Sequence, residues 1–389
     1  MACSIVGWSH LPFGKNATDD LEGLIVSAAT QAIAHSGIDA IAIGGVWLGN
    51  LNGGFVPDIF ASSLALQADD ALRWAGATRV ENACASGAAA VYSACDAIES
   101  GRIRAALVVG AELMTRRSTP EVAAVLGGCS YFKEEGERGL TFPGIFAKYA
   151  KAYFEQFGNH SETLARIAAK NHANGVRNPY AQMKKDLGFD FCNTVSERNP
   201  IVADPLRVTD CSLISDGAAA LLIVNSELAN DFPRAVEFKA RSHVNDYLPM
   251  SRRPNLTGFE GPRRAWEQAY AQAGCTVADL SFAEVHDCFT IAELLSYEAM
   301  GLAPIGRGAS VVEDGTVFPG GRLPVNASGG LKAKGHPIGA TGVSMHAIGA
   351  MQLCGEAGTF QLAAPETGAI FNMGGSAVAN YVSILRRIR

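Results

Sequence analysis

Asn82-Ala83-Cys84-Ala85-Ser86-Gly87 places one cysteine where a run of small residues begins. The segment after it, Ala88 to Ser100 with Gly101 as a stop, is rich in alanine. It predicts a helix that is apolar on most sides and therefore buried. A cysteine at such a helix start has two readings. It is a nucleophile, whose thiolate the positive end of the helix favours, or a buried structural cysteine, the usual fate of a free thiol. The stretch has an echo in Asn326-Ala327-Ser328-Gly329-Gly330, ahead of a second small-residue helix over Ala340 to Leu353. Two such units in separate halves of one chain point to a duplicated α/β fold.

The remaining segments fit that plan. The first half reads as strand Ser4 to Gly7, a helix from about Asp19 to Ser36, strand Ile41 to Leu48, helix Pro57 to Gln67 and strand Ala105 to Gly110. It closes with a small-residue turn, Cys211 to Gly217, and the apolar strand Ala218 to Asn225. The second half reads as helix Gly261 to Ala273, strand Ser281 to Val285, helix Thr290 to Met300 and a closing strand Ala377 to Leu385 that mirrors Ala218 to Asn225. The division is residues 1–230 and 231–389, two αβα halves. An insertion over 116–204 has no counterpart in the second half. Long insertions in compact α/β domains are usually functional. Within it, residues 131–190 carry nine Lys and Arg against seven Asp and Glu, in a chain with 32 against 38. That local bias suits an anionic ligand or simply a solvated helical surface.

Of the 389 residues, 48% are hydrophobic and 18% charged, which predicts a large core and excludes a disordered chain. A net charge of −6 argues against nucleic acid as a partner. No apolar run approaches the ~18 residues of a membrane span. Met1 to Gly7 lacks the pattern of a secretory signal, and Arg386-Arg387-Ile388-Arg389 is not a peroxisomal address. Nine cysteines without a Cys-x-x-Cys pair disfavour a disulfide framework or a zinc site and fit a reducing cytoplasm.

Four segments carry reactive side chains at loop ends, where α/β folds gather ligands: Asn82 to Gly87, His286-Asp287-Cys288-Phe289, Gly335-His336-Pro337-Ile338-Gly339-Ala340-Thr341-Gly342, and Asn372-Met373-Gly374-Gly375. Taken singly, His286, Cys288 and His336 also read as satisfied core or loop groups. Metal binding by His286, Asp287 and Cys288 is disfavoured because adjacent residues at a strand end do not converge on one ion.

Taken together, the four loops resemble those of the thiolase superfamily, in order and spacing across nearly the whole chain. Gly335-His336-Pro337 with the following Ile-Gly-Ala-Thr-Gly is the most specific match, and Ile5-Val6-Gly7 with Pro12-Phe13-Gly14-Lys15 also resembles a thiolase N-terminus. The Asn-Glu-Ala-Phe loop and late cysteine of degradative thiolases are missing. His286-Asp287-Cys288-Phe289 and Asn372 stand in their places, so the chain looks like the sterol-carrier-protein type of thiolase without its lipid-transfer domain. The resemblance implies a five-layered αβαβα core and an acetyl-CoA acetyltransferase of lipid metabolism, fatty acid degradation included. Coenzyme A would be a substrate, and no cofactor or metal would be needed. It gives Cys84 the role of acyl-carrying nucleophile and His336 that of its base. Cys288 would be the acid and base for the departing or incoming carbanion. His286 and His336 would hold the enolate oxygen, and the N–H groups of Cys84 and Gly374 the second oxyanion. Ser212 would meet the pantetheine arm, and the insertion would cover the coenzyme. A homodimer or homotetramer is implied, with a small accessory subunit in some relatives. The rival functions are a condensing enzyme of secondary metabolism on the same fold and a non-catalytic acyl-CoA binder, for which two thiols and two imidazoles are superfluous.

Overall fold

The computed structural model describes residues 3–16 and 19–389. The first half runs β1 (Cys3–His10), α1 (Leu21–Ser36), β2 (Gly45–Gly49), β3 (Gly76–Val80), α2 (Ser86–Glu99) and β4 (Ala105–Glu112). The insertion follows, with α3 (Thr119–Gly127), α4 (Phe142–Phe157), α5 (Ser161–Arg177), α6 (Gly188–Asn193) and the short strands β5 (Ile201–Ala203) and β6 (Leu206–Arg207). After β7 (Gly217–Asn225) and β8 (Val236–Asn245) come α7 (Glu260–Ala273), β9 (Phe282–Val285), α8 (Thr290–Ala299), α9 (Ser310–Glu313), α10 (Gly330–Lys334), α11 (Ile338–Cys354), β10 (Thr367–Gly374) and β11 (Ala379–Arg387).

Nine of the strands form one ladder in the order β3-β2-β4-β7-β1-β8-β11-β10-β9. The join in the middle is thin: β1 and β8 share only the pairs Ser4↔Glu237 and Ile5↔Val236. On either side of it the topology mirrors. β1 and β8 are adjacent at the join, β7 and β11 flank them, then β4 and β10, then β2 and β9. The partner expected for β3 shrinks to a single parallel bridge, Ala283↔Val325, directly ahead of Asn326. The duplication seen in the two Asn-containing loops is therefore also a duplication of strand order.

Helices α2 and α11 pack on each other between the two sheet halves, while α1 covers the far side of β1, β4 and β7 and α7 that of β8 and β11. This is the alternation of helix and sheet layers expected from the sequence. It explains why the strands read as unbroken apolar runs. In β7, Ala218, Ala220, Leu222 and Val224 join the cluster under α1, while Ala219, Leu221 and Ile223 join the cluster around α2 and α11. Every residue of α11 from Ile338 to Leu353 is buried, as a helix between two sheets must be. Cys95, eleven residues beyond Cys84, lies in the same core.

Some elements differ from the sequence reading. Ile41 to Leu48 divides into a 3-10 turn, Ala40–Ala42, and the shorter β2. The segment expected as helix Pro57 to Gln67 is a 3-10 helix over Ala61–Ala68. Strands β3, β8 and β10 have no counterpart among the strands expected from the sequence. β3 is a sheet edge with little apolar content, so nothing in its composition marks it. β8 does alternate, with Val236, Phe238, Ala240 and Ser242 buried.

Candidate active site

Each reactive loop emerges from a strand or precedes a helix of the central layers. Cys84 lies between β3 and α2, two residues ahead of the first helical residue, and the preceding Ala83 adopts a left-handed φ of 49°. His286, Asp287 and Cys288 follow β9, His336 joins α10 to α11, and Asn372 stands on β10. The four loops converge. Cys84 Sγ and one ring nitrogen each from His286 and His336 lie within 4.8 Å of one another. The two imidazoles meet edge to face, with centroids 5.0 Å apart. Cys288 joins Cys84 and His336 on the wall of one cavity of about 500 Å³, as does Ser212, whose N–H donates to Cys288 O at 2.9 Å.

Hydrogen bonds assign the two imidazoles opposite tautomers. The Asn372 side-chain nitrogen donates to Cys84 O at 3.2 Å and lies 2.9 Å from His286 Nδ1. A carbonyl oxygen only accepts, so the amide must present its nitrogen on this side. His286 Nδ1 is then the acceptor, and its proton sits on Nε2. At His336 the logic reverses. Its Nδ1 lies 2.7 Å from Thr341 Oγ1, whose own proton goes to Pro337 O at 3.0 Å. His336 Nδ1 therefore donates, and Nε2 is left as a bare lone pair. Both Nε2 atoms are buried without a hydrogen-bond partner among the described residues. The site thus holds one imidazole with a bare Nε2 and one with a protonated Nε2.

Electrostatics corrects the expected state of the thiols. Burial pushes the Cys84 thiol well above its ordinary range and Cys129 adds to this, while N–H groups of Gly375 and of Cys84 itself pull the other way. The helix start does not hold a resting thiolate. Cys288 is likewise raised, by burial, then by Cys84 and Asp287, so its pKa is not poised near neutrality. Burial and Lys334 bring His336 down to about 3, and burial, His336 and Lys334 depress His286. The resting site is a neutral thiol beside neutral imidazoles, and proton transfer must accompany attack.

Gly374, expected as an oxyanion donor, also has a packing part in this geometry. A Cβ there would lie 2.4 Å from Asn82 O, so glycine lets β10 touch the nucleophile loop. The neighbouring Gly375 supplies the N–H that faces the sulfur. Asp287 does not line the cavity. It accepts from Asn171 Nδ2 at 2.8 Å and from the N–H groups of Leu331 and Lys332. Asn171 also donates to Glu293, which Lys170 and Asn326 bind in turn, so the insertion is bolted to the His286 loop. Glu112 accepts from Leu51, Asn52 and Gly339 N–H and fixes the loop after His336 to the end of β4. Burial raises it to about 7. The roles of Thr341, Glu112 and Asn171 had no sequence signal. That of Asn372 had one, since it occupies the late-cysteine position.

Comparison with known proteins gives matches along nearly the whole chain. A family model for the thiolase N-terminal domain matches residues 3–227, and one described as thiolase C-terminal domain-like matches 242–387. An acetyl-CoA acetyltransferase of Methanothermobacter thermautotrophicus is 35% identical, over 99% of both chains. Sterol carrier protein 2 of Oryctolagus cuniculus is 31% identical over 95% of this chain and 69% of its own. Among solved structures, Ltp2-ChsH2(DUF35) aldolase superposes with a TM-score of 0.86 at 22% identity, covering 100% of this chain and 98% of that one. An acetyl-CoA acetyltransferase from Syntrophomonas wolfei gives 0.74 at 18%, covering 99% and 98%.

Proposed function

The chain belongs to the thiolase family, and from that premise we propose that it makes or breaks the carbon–carbon bond of a 3-ketoacyl-CoA through an acyl group carried on Cys84. The observation that carries this is the meeting of Cys84 with two imidazoles of opposite tautomers, where Cys84, Cys288 and His336 line a mostly apolar cavity. In the cleaving direction the Cys84 sulfur attacks the ketone carbon while His336 Nε2 takes the thiol proton. The bond to the acetyl-CoA carbon breaks, and the electron pair moves onto the enolate oxygen. His286 Nε2–H and the newly protonated His336 hold that oxygen. Cys288 delivers its proton to the carbanion carbon and then takes one from the incoming coenzyme A thiol. That thiolate attacks the acyl-Cys84 carbonyl, Cys84 leaves, and His336 returns its proton. The Cys84 and Gly374 N–H groups serve the oxygen of the second step, with the Gly375 N–H beside them.

Coenzyme A is substrate in this scheme, and no cofactor enters it. Ser212 on the cavity wall suits the pantetheine arm, and Lys185 and Arg198 of the insertion, on the same wall, suit the phosphates of the coenzyme. The cysteines are all free, which supports a reducing cytoplasm. Among the described residues no helix is long and apolar enough to cross a membrane. A homodimer built on the open edge β3 belongs to the same proposal. So does an accessory subunit, since one solved neighbour is named as a pair.

The test is covalent. Acetyl-CoA should label wild type on Cys84 and fail to label Cys84→Ala; undiminished labelling of that variant elsewhere would sink the reading. Cys288→Ala should still acylate but lose exchange of the acetyl-CoA α-protons, and normal exchange would remove Cys288 from its role.

A further inference from the structure

The cavity that holds Cys84 has mainly apolar walls, including Met114, Val122, Leu126, Phe142 and Ile338. Two other lining groups do not fit such a wall. Lys332, on α10, is 3% exposed, and among the described residues its ammonium makes no hydrogen bond or ion pair. His172, on α5, is 1% exposed, and among the described residues neither of its ring nitrogens has a hydrogen-bond partner. The two are neighbours: burial first, then the charge of Lys332, holds His172 neutral down to about 3.

The carboxylates around Lys332 are engaged elsewhere. Asp210 binds the Arg207 guanidinium at 2.9 Å and the Thr290 hydroxyl at 2.8 Å. Asp287 is held by Asn171 and two backbone N–H groups. Removing an ammonium from water without a partner is costly, and a fold retains such a group where something else supplies the partner. Lys332 also acts on Cys211, which bridges to Phe289 beside Cys288. A ligand in this cavity can bring a thioester to Cys84 and an oxygen-rich anion to Lys332.

We propose that Lys332 and His172 hold a carboxylate borne by the acyl group away from its thioester, so that the preferred substrate is a dicarboxylic acyl-CoA. Three ammonium protons and one imidazole proton match the acceptor sites of one carboxylate. This rests on the thiolase reading, since only there does the cavity hold an acyl chain. The rival occupant of the pair is an amide oxygen of the pantetheine arm, common to every coenzyme A thioester.

The experiment compares dicarboxylic acyl-CoA thioesters with methyl-ended ones of equal length, by kcat/KM, in wild type, Lys332→Met and His172→Phe. Wild type should favour the dicarboxylic chain by on the order of 10- to 100-fold, the range of a charge-assisted hydrogen bond. Lys332→Met should abolish the preference and His172→Phe should weaken it. Because the ammonium has no partner in the protein, Lys332→Met should keep or raise the melting temperature. A wild type without preference, an equal loss on both chains as expected for a pantetheine contact, or a sharp fall in melting temperature in Lys332→Met would each overturn the inference. Labelling of wild-type Cys84 by acetyl-CoA separates the two levels. A protein that labels but shows no preference overturns only this inference, and one that never labels overturns the proposed function with it.

Discussion

At the scale of single residues, the site is governed by where protons sit. Cys84 is a buried thiol, and in the proposed scheme its activation depends on the free lone pair of His336 Nε2. His286 depends in the same way on Asn372, its donor at Nδ1. Replacing Asn372 with leucine frees the His286 tautomer and should lower kcat by about 10- to 100-fold, the usual cost of losing an orienting partner. KM should change little; a variant that loses KM and melting temperature while keeping kcat would show that Asn372 only packs. The pH profile follows from His336. Its folded pKa is lowered from 6.5 to about 3, so the neutral base persists well below the usual histidine range. The kcat/KM for acylation in wild type should therefore have no acid limb near 6.5. A limb there would mean that His336 is hydrated and titrates normally before substrate binds.

At the scale of elements, the decisive contact is between α2 and α11. The two helices approach so closely that side chains are excluded. A Cβ on Gly342 would lie 2.2 Å from Ala88 N and 2.5 Å from Asn372 Oδ1, and one on Gly87 would lie 2.8 Å from Gly339 O. The glycines of the Gly335 to Gly342 loop therefore serve packing as well as turning. Gly342→Ala should destabilise the protein by about 1–3 kcal/mol, as overpacking does. It should also disturb Asn372 and cost activity. Gly76→Ala on the edge strand, where a Cβ meets nothing within 4 Å, is the control. Equal melting temperatures for the two variants would contradict the close approach. The insertion is an element of the same machine, because Asn171 and Lys170 of α5 bind Asp287 and Glu293 across the cavity wall.

At the scale of the whole molecule, the ladder leaves β3 as an edge with one neighbour. Close by in sequence, Trp74 is 85% exposed and Ile59 and Phe60 are each 77% exposed. An open edge beside exposed apolar groups invites pairing with a second copy. Sedimentation should find a dimer for wild type and a weakened one for Trp74→Glu; a monomeric wild type would refute it. The sequence by itself determined the layered fold, because both faces of its strands had to be apolar, and the order of its reactive loops, because Cys84, His286, Cys288 and His336 all stand in loops beside glycine or a strand end. It could not determine how those groups are charged. A pKa and a tautomer depend on burial and on partners distant in the chain, and Asn372 lies 86 residues from the His286 it orients. Only the tertiary structure withdrew the thiolate from Cys84, gave the two imidazoles opposite roles, and brought Lys332 and His172 unpaired to the wall of one cavity. The walls of that cavity come from elements that the sequence keeps far apart.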